Sequence, residues 1–393
     1  MAPTRVAIVG LKPQPAEVHR WANDSNDGKV DISGQLGFWA VKAHLPAFKS
    51  MPETYEIVAV CNSNIDSAAL AIEQYGLTSA KPYGNPEDLA NDPEVDLVVI
   101  SVNVRRHFEL AKPVLEKGKD VFVEWPLGAN FAESEELTQL AAAKGVRTSV
   151  GVQARADPLI VKLKEIVESG QLGRVLNSSV LVNSSLLPLS GWIQGAEFYL
   201  NHDSGGNELL IYFGHFLDSF IHILGDFVEV QAIMKSVVKS VPIFNAKKEL
   251  VNPSYPKTSA EHFVVHGVLE SDALASISVR KGPNEVDGAS FRWVISGTKG
   301  EAEVIIPRGQ FQSGEPNRTL RVRIGDEDAK NVDFIHPNDE LEADVAHHWS
   351  ANPARQHRAF AAGNKNEFAD FESALRTHKL LSRIVEAAGW PSI

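Results

Sequence analysis

With 393 residues, 44% hydrophobic and 22% charged, the chain has an ordinary globular composition and the length for two domains. Its 38 lysines and arginines are scattered and outnumbered by 50 acidic residues, a net charge of −12, which excludes nucleic acid and anionic membrane as direct ligands. The single cysteine, Cys61, excludes a disulfide framework or a cysteine-based zinc site, so no metal is expected, and it fits a reducing compartment, the cytoplasm.

No apolar run reaches a membrane span, and Met1–Arg5 leads into a strand-like run without a signal-peptide pattern. Up to residue 152, short apolar runs alternate with amphipathic stretches. The runs are Val6–Val9, Ile57–Val60, Leu97–Ile100, Val121–Val123 and Thr148–Val152. They are β-branched and apolar on both faces, as buried parallel strands are. The stretches Phe38–Phe48, Asp66–Tyr75, His107–Lys117 and Glu133–Lys144 read as helices. This alternation predicts an α/β Rossmann domain over 1–152. A polar stretch, Lys12–Gly34, carries Pro13, Pro15, Gly28 and Gly34 and reads as an inserted surface loop.

The pattern changes after Gln153. A helix at Pro158–Ser169 is followed by strands of period two: Val175–Val182, Val228–Val241, Glu261–Glu270, Leu274–Val279, Phe291–Ser296, Ala302–Ile306 and Leu320–Ile324. A helix at Glu208–Leu224 interrupts them, and helices near Ala354–Ala362 and Phe368–Ala388 follow. The expected second domain, 153–393, is α+β with an open, mainly antiparallel sheet.

Val6–Gly10 is a buried strand ending in glycine, the start of a turn that brings backbone amides to a pyrophosphate. The Gly-x-Gly-x-x-Gly fingerprint is not contiguous. Gly34 and Gly37 supply a Gly-x-x-Gly before the helix that opens at Phe38 and Trp39, with the inserted stretch between. At the end of the second strand, where an acid would hold a ribose 2′-hydroxyl, stand Asn62 and Ser63. A neutral tip admits NAD or NADP, with a slight lean to NADP, since nothing there repels a 2′-phosphate.

Five segments in chain order resemble the Gfo/Idh/MocA (glucose–fructose oxidoreductase/inositol dehydrogenase) family. They are Ser101–His107; Gly118–Leu127, similar to "GKHVxxEKPL"; Gly205–Asp218, similar to "GGGxLxDxGxHxxD"; Gly297–Gly300; and Phe371–His378. The resemblance implies a nicotinamide dinucleotide over the carboxyl ends of the parallel strands. It also implies a cleft lined by Asn103, His107, Glu124, Trp125 and His215, a small-molecule substrate and a homodimer. In enzymes of the family the Lys of Glu-Lys-Pro and the Asp of Asp-x-x-x-His help move the substrate's hydroxyl proton. Here those positions hold Trp125 and Ile211, which cannot. His215 survives as the catalytic candidate, with Tyr199, Tyr212, His202 and Asp203 as helpers.

The Glu124-Trp125-Pro126 and Phe213-Gly214-His215 forms, with Trp39–Ala47, resemble the branch that includes the galactose-regulon repressor. Two readings follow. The preferred one is a cytoplasmic NAD(P)-dependent dehydrogenase or reductase of a polyol, sugar or related metabolite. The other is a non-catalytic dinucleotide-binding transcriptional regulator that binds an activator protein, in the nucleus.

Overall fold

The computed structural model describes residues 2–14, 38–184, 190–245, 247–282, 285–335, 345 and 348–393. The chain forms two units. One comprises Met1–Gln153 with Leu341–Leu375, the other Ala154–Glu340 with Arg376–Ile393.

In the first unit, β1 (Thr4–Val9), β2 (Tyr55–Cys61), β3 (Lys81–Tyr83), β4 (Leu97–Ile100), β5 (Asp120–Glu124) and β6 (Thr148–Gly151) form a parallel sheet of order β3-β2-β1-β4-β5-β6. Every residue of β4 is fully buried, as its Leu-Val-Val-Ile sequence requires. The helices are α1 (Leu45–Lys49), α2 (Ile65–Tyr75), α3 (Pro86–Asn91), α4 (His107–Glu116) and α5 (Phe131–Lys144). Asn64, Asn85 and Asn130 cap α2, α3 and α5 through side-chain oxygens that accept a first-turn amide. The pair β3 and α3 has no counterpart in the sequence reading. Three residues with a central proline, then six of helix, are too short for periodicity to register.

The order reverses between β1 and β4, and that switch point opens the crevice in which such sheets bind ligands. The helix expected from Phe38 begins instead with a π-turn, Ala40–His44, that runs into α1. Most of the inserted stretch, 15–34, lies outside the described residues. Its start is fastened to α2: Tyr75 Oη donates to Lys12 O at 2.7 Å and Gln14 N to Gln74 Oε1 at 2.7 Å.

The second unit opens with α6 (Pro158–Glu168). Its main sheet uses β7 (Val175–Asn183), β9 (Phe227–Lys235), β12 (His262–Leu269), β13 (Leu274–Arg280), β14 (Phe291–Gly297), β15 (Gly300–Ile306), β16 (Thr319–Ile324) and β17 (Lys330–Asn331). The order is β17-β16-β15-β14-β7-β13-β12-β9, antiparallel except where β7 meets β13. A smaller sheet pairs β8 (Trp192–Ile193), β10 (Ser240–Phe244) and β11 (Leu250–Pro256).

The strand expected over Val228–Val241 is therefore two, in different sheets. Glu261 explains the break: its Oε1 accepts the amides of Val237 (2.6 Å) and Val238 (2.9 Å), which removes them from any ladder. On the main sheet's inner face, Trp293 meets Phe216 and Phe220 of α7 (Gly214–Leu224) at ring-centroid distances of 5.3 and 5.6 Å. Across its outer face runs a row, Ile233, Val264, Ser278 and Leu181, in direct register on β9, β12, β13 and β7. Ile233 and Leu181 are 67% and 51% exposed there.

The last helices are α8 (His348–Ala362) and α9 (Phe371–Ala387). The sequence reading assigned all of 153–393 to the second domain, but Leu341–Leu375 belongs to the first unit. The bonds responsible are far apart in sequence, so local pattern could not show them. Gln356 Nε2 donates to Val150 O at 2.6 Å, and Val150 N to Ala369 O at 2.8 Å. This return covers the β6 edge of the parallel sheet, which would otherwise present unpaired backbone groups. No helix among the described residues is long and apolar enough to cross a membrane.

Candidate dinucleotide site and catalytic segment

The carboxyl ends of β1, β2, β4 and β5 carry most of the expected cofactor residues. Gly10 follows β1 with φ +95°, and a Cβ there would lie 2.4 Å from Ser101 O. Both facts demand glycine, and its bareness lets β1 and β4 close together beneath the crevice. Gly34 and Gly37 lie outside the described residues. Phe38 accepts the amides of Val41 and Lys42 at 3.1 and 3.0 Å, opening the π-turn. Trp39 stands edge-on to Trp349 at 6.1 Å, and its buried Nε1 has no partner among the described residues.

Asn62 donates its amide to Leu11 O (2.9 Å) and Ser67 O (3.2 Å), tying the β1 loop to α2. Both partners are carbonyls, so the orientation of the amide is fixed by its bonds. Its Oδ1 is buried without a partner among the described residues, an acceptor waiting for a donor. Ser63 beside it is exposed. Asn103 is exposed, and its Oδ1 accepts the Arg105 amide at 3.1 Å.

His107 plays a structural part. It is 1% exposed, and its ring nitrogens face Pro126 O (2.8 Å) and Val102 O (3.2 Å), joining the turn after β5 to the loop after β4. Burial pushes its pKa below the ordinary histidine value, against the pull of those carbonyls. Trp125 is 5% exposed, a packed indole where the family has an ammonium group. Glu124 ends β5, and its Oε1 meets His44 Nε2 at 2.7 Å. His44 Nδ1 in turn faces His357 Nε2 at 2.9 Å. Sequence reasoning missed both histidines. His44 stood in a quoted segment without a role, and His357 comes from α8, with nothing local to mark it.

In the second unit, the Gly205–Asp218 segment forms a π-turn, Leu209–Phe213, and then α7, whose second residue is His215. Thus both motif-bearing helices begin with π-turns, irregularities that recur at functional sites. Asn207 Oδ1 accepts the amides of Leu209 (3.1 Å) and Leu210 (3.2 Å) and starts the turn. His215 is 7% exposed. Ile211 packs against an apolar cluster that includes Trp192 and Tyr199, so an acid there would lie among hydrocarbon.

Glu208 is buried just before the turn. It accepts Lys281 Nζ at 2.7 Å and the Ser184 hydroxyl. Burial, then Glu208, holds the Tyr199 phenol well above its ordinary pKa. Tyr212 Oη donates to Gly309 O at 2.5 Å, and burial also raises its pKa. His202 Nε2 bonds Pro391 O at 2.7 Å, and Asp203 is exposed. Lys281 and Ser184 are further residues that no motif pointed to.

Family models match in two blocks. Residues 4–152 match the oxidoreductase family with an NAD-binding Rossmann fold, and residues 158–305 match the Gal80p C-terminal domain. The chain is 35% identical over 257 residues to dehydrogenase aclE of Aspergillus oryzae, covering 65% of this chain and 69% of the relative. It is 26% identical over 276 residues to the galactose/lactose metabolism regulatory protein GAL80 of Kluyveromyces lactis, covering 68% of this chain and 60% of the relative. In structure it is similar to a super-repressor mutant of Gal80p from Saccharomyces cerevisiae. The TM-score is 0.81, the identity 21%, and 99% of this chain and 96% of that one are covered, a likeness of fold.

Proposed function

The chain belongs to the Gfo/Idh/MocA oxidoreductase family, and on that premise we propose that it binds NAD and transfers hydride to or from a small polyol, sugar or related metabolite. The observation that carries the cofactor reading is the orphaned Asn62 Oδ1 at the end of β2. A ribose hydroxyl donates to such an oxygen, whereas a 2′-phosphate cannot, and the amide hydrogens that a phosphate would want are already committed. This orientation favours NAD over NADP, against the slight lean drawn from the neutrality of position 62. The bareness of Gly10 suits the pyrophosphate.

When bound, the cofactor supplies hydride exchange at its nicotinamide. The chain must then move the hydroxyl proton, and in this reading His215 does so, since Trp125 and Ile211 have no group for it. Calorimetry with NAD⁺, NADH, NADP⁺ and NADPH tests the cofactor reading. We expect NAD forms to bind tighter than NADP forms by less than about two orders of magnitude, because nothing at Asn62 repels a phosphate outright. Failure of every form to bind below millimolar concentration would refute it.

The regulator reading draws support from the Gal80p C-terminal domain match and from Trp125 and Ile211 at the two proton-handling positions. It calls for an activator protein as partner and the nucleus as its place, where the enzyme reading calls for the cytoplasm. Tight cofactor binding with no turnover across a panel of sugars, polyols and hydroxy acids would favour it.

In either reading the outer row Ile233–Leu181 suits a second copy of the chain, because an apolar row this exposed is costly to leave in water. Ile233→Glu with Leu181→Glu should convert a dimer to monomer in sedimentation at micromolar concentration. A wild type that is already monomeric there would contradict the homodimer.

A further inference from the structure

Glu124 ends β5, across the switch point from Asn62 at the end of β2. A dinucleotide laid over this crevice with its adenosine ribose at β2 brings its nicotinamide toward β5. Three features fix the Glu124 carboxylate there. Oε1 is held by His44 Nε2 at 2.7 Å, and His44 is backed by His357 at 2.9 Å, both histidines 0% exposed. Gly151 lies against the other oxygen: a Cβ on it would stand 2.4 Å from Oε2, so the carboxylate fills the space of a missing side chain. Oε2 itself has no partner among the described residues, and the side chain keeps 14% of its surface exposed. One oxygen is anchored inside the protein and the other is offered to the site.

The hydrogen bonds leave one economical arrangement of protons. His357 Nδ1 is buried without a partner among the described residues, so it is better bare than protonated. His357 then donates from Nε2 to His44 Nδ1, and His44 donates from Nε2 to an ionised Glu124. Burial holds the His357 pKa well below its ordinary value. Around the two rings stand Phe48 and Phe122, which bring no counter-charge. The array therefore carries a fixed negative charge that ends at Oε2.

We propose that the Glu124–His44–His357 array makes this site select the oxidised, cationic nicotinamide over the reduced, neutral one. The inference rests on the cofactor reading above but not on the choice between enzyme and regulator. The two cofactor forms share every recognition group except the nicotinamide ring and its charge, so a site prefers one only through what meets that ring. His44 and His357 are positioning residues, which hold the carboxylate in place.

The test is calorimetric titration of the full chain with NAD⁺ and NADH at neutral pH, in wild type, Glu124→Gln and Gly151→Ala. The wild type should bind NAD⁺ about tenfold tighter than NADH, a difference of about 1.4 kcal/mol. Glu124→Gln keeps the shape and removes the charge, so its ratio should fall to within about twofold of unity, mainly through weaker NAD⁺ binding. Gly151→Ala displaces Oε2 and should shrink the ratio likewise, giving a second reading if the glutamine variant does not fold. A wild type that binds both forms equally, or NADH tighter, overturns the selection alone. So does a folded glutamine variant with the full preference. Loss of all cofactor binding in the wild type overturns the cofactor reading as well.

Discussion

In the enzyme reading, replacing His215 by alanine should lower turnover by roughly 10²–10⁴-fold, the usual worth of a positioned general acid or base. Oxidation of an alcohol by hydride loss leaves a proton, and the residues at the family's other two proton-handling positions carry an indole and a sec-butyl group, Trp125 and Ile211. The deficit should appear in kcat, with the affinity for NAD little changed, because the crevice residues named above all belong to the first unit and His215 to the second. The substrate comes from a panel of sugars, polyols and hydroxy acids, and kinetics of the variant follow on any hit. Full activity without the imidazole would remove His215 from the mechanism.

Replacing Lys281 by methionine should destabilise the protein by about 3–5 kcal/mol, the cost of stripping one partner from a buried ion pair. The side chains of Lys281 and Glu208 are 5% and 3% exposed and meet at 2.7 Å, so the carboxylate left behind has no water to turn to. Changing Glu208→Gln in the same chain should restore much of the loss, since an amide can keep the Ser184 hydroxyl bond without a charge to bury. Denaturant unfolding of both variants measures this. A single variant within 1 kcal/mol of wild type, on the scale of an exposed pair, would mean the pair is not what anchors the start of the His215 helix.

The alternating architecture of the first unit was readable because β1, β4 and β5 are short apolar runs buried on both faces and α2, α4 and α5 are polar–apolar stretches of helical length between such runs, both local properties. Asn64 and Asn130 announce α2 and α5 within a single turn. The placement of the candidate site was readable for a similar reason: Gly10, Asn62 and Glu124 stand at strand ends, and strand ends in such sheets face the ligand. What those side chains do was not readable. That Asn62 turns its amide inward depends on Leu11 and Ser67, and that His107 faces two carbonyls depends on the path of the loop at Pro126. Least visible were partnerships across long separations. His44 and His357 lie 313 positions apart, Glu208 and Lys281 73, and no pattern of neighbours encodes either pair.

The late return of residues 341–375 to the first unit has a consequence for how the protein is made. By the time Gln153 has been synthesised, all six strands of the parallel sheet exist, yet α8 does not. At translation speeds of about 5–20 residues per second, the 204 residues between Gln153 and His357 take roughly 10–40 s. Throughout that interval Phe48, Phe122 and Tyr55 lack the imidazole that packs on them, and the β6 edge lacks Ala369. The nascent domain is thus an unfinished sheet with a bare edge and an aromatic face, and a natural client for a chaperone at the ribosome. A ribosome stalled before α8 should display a chain that proteases cut readily, and one stalled well beyond α9 a chain that resists them.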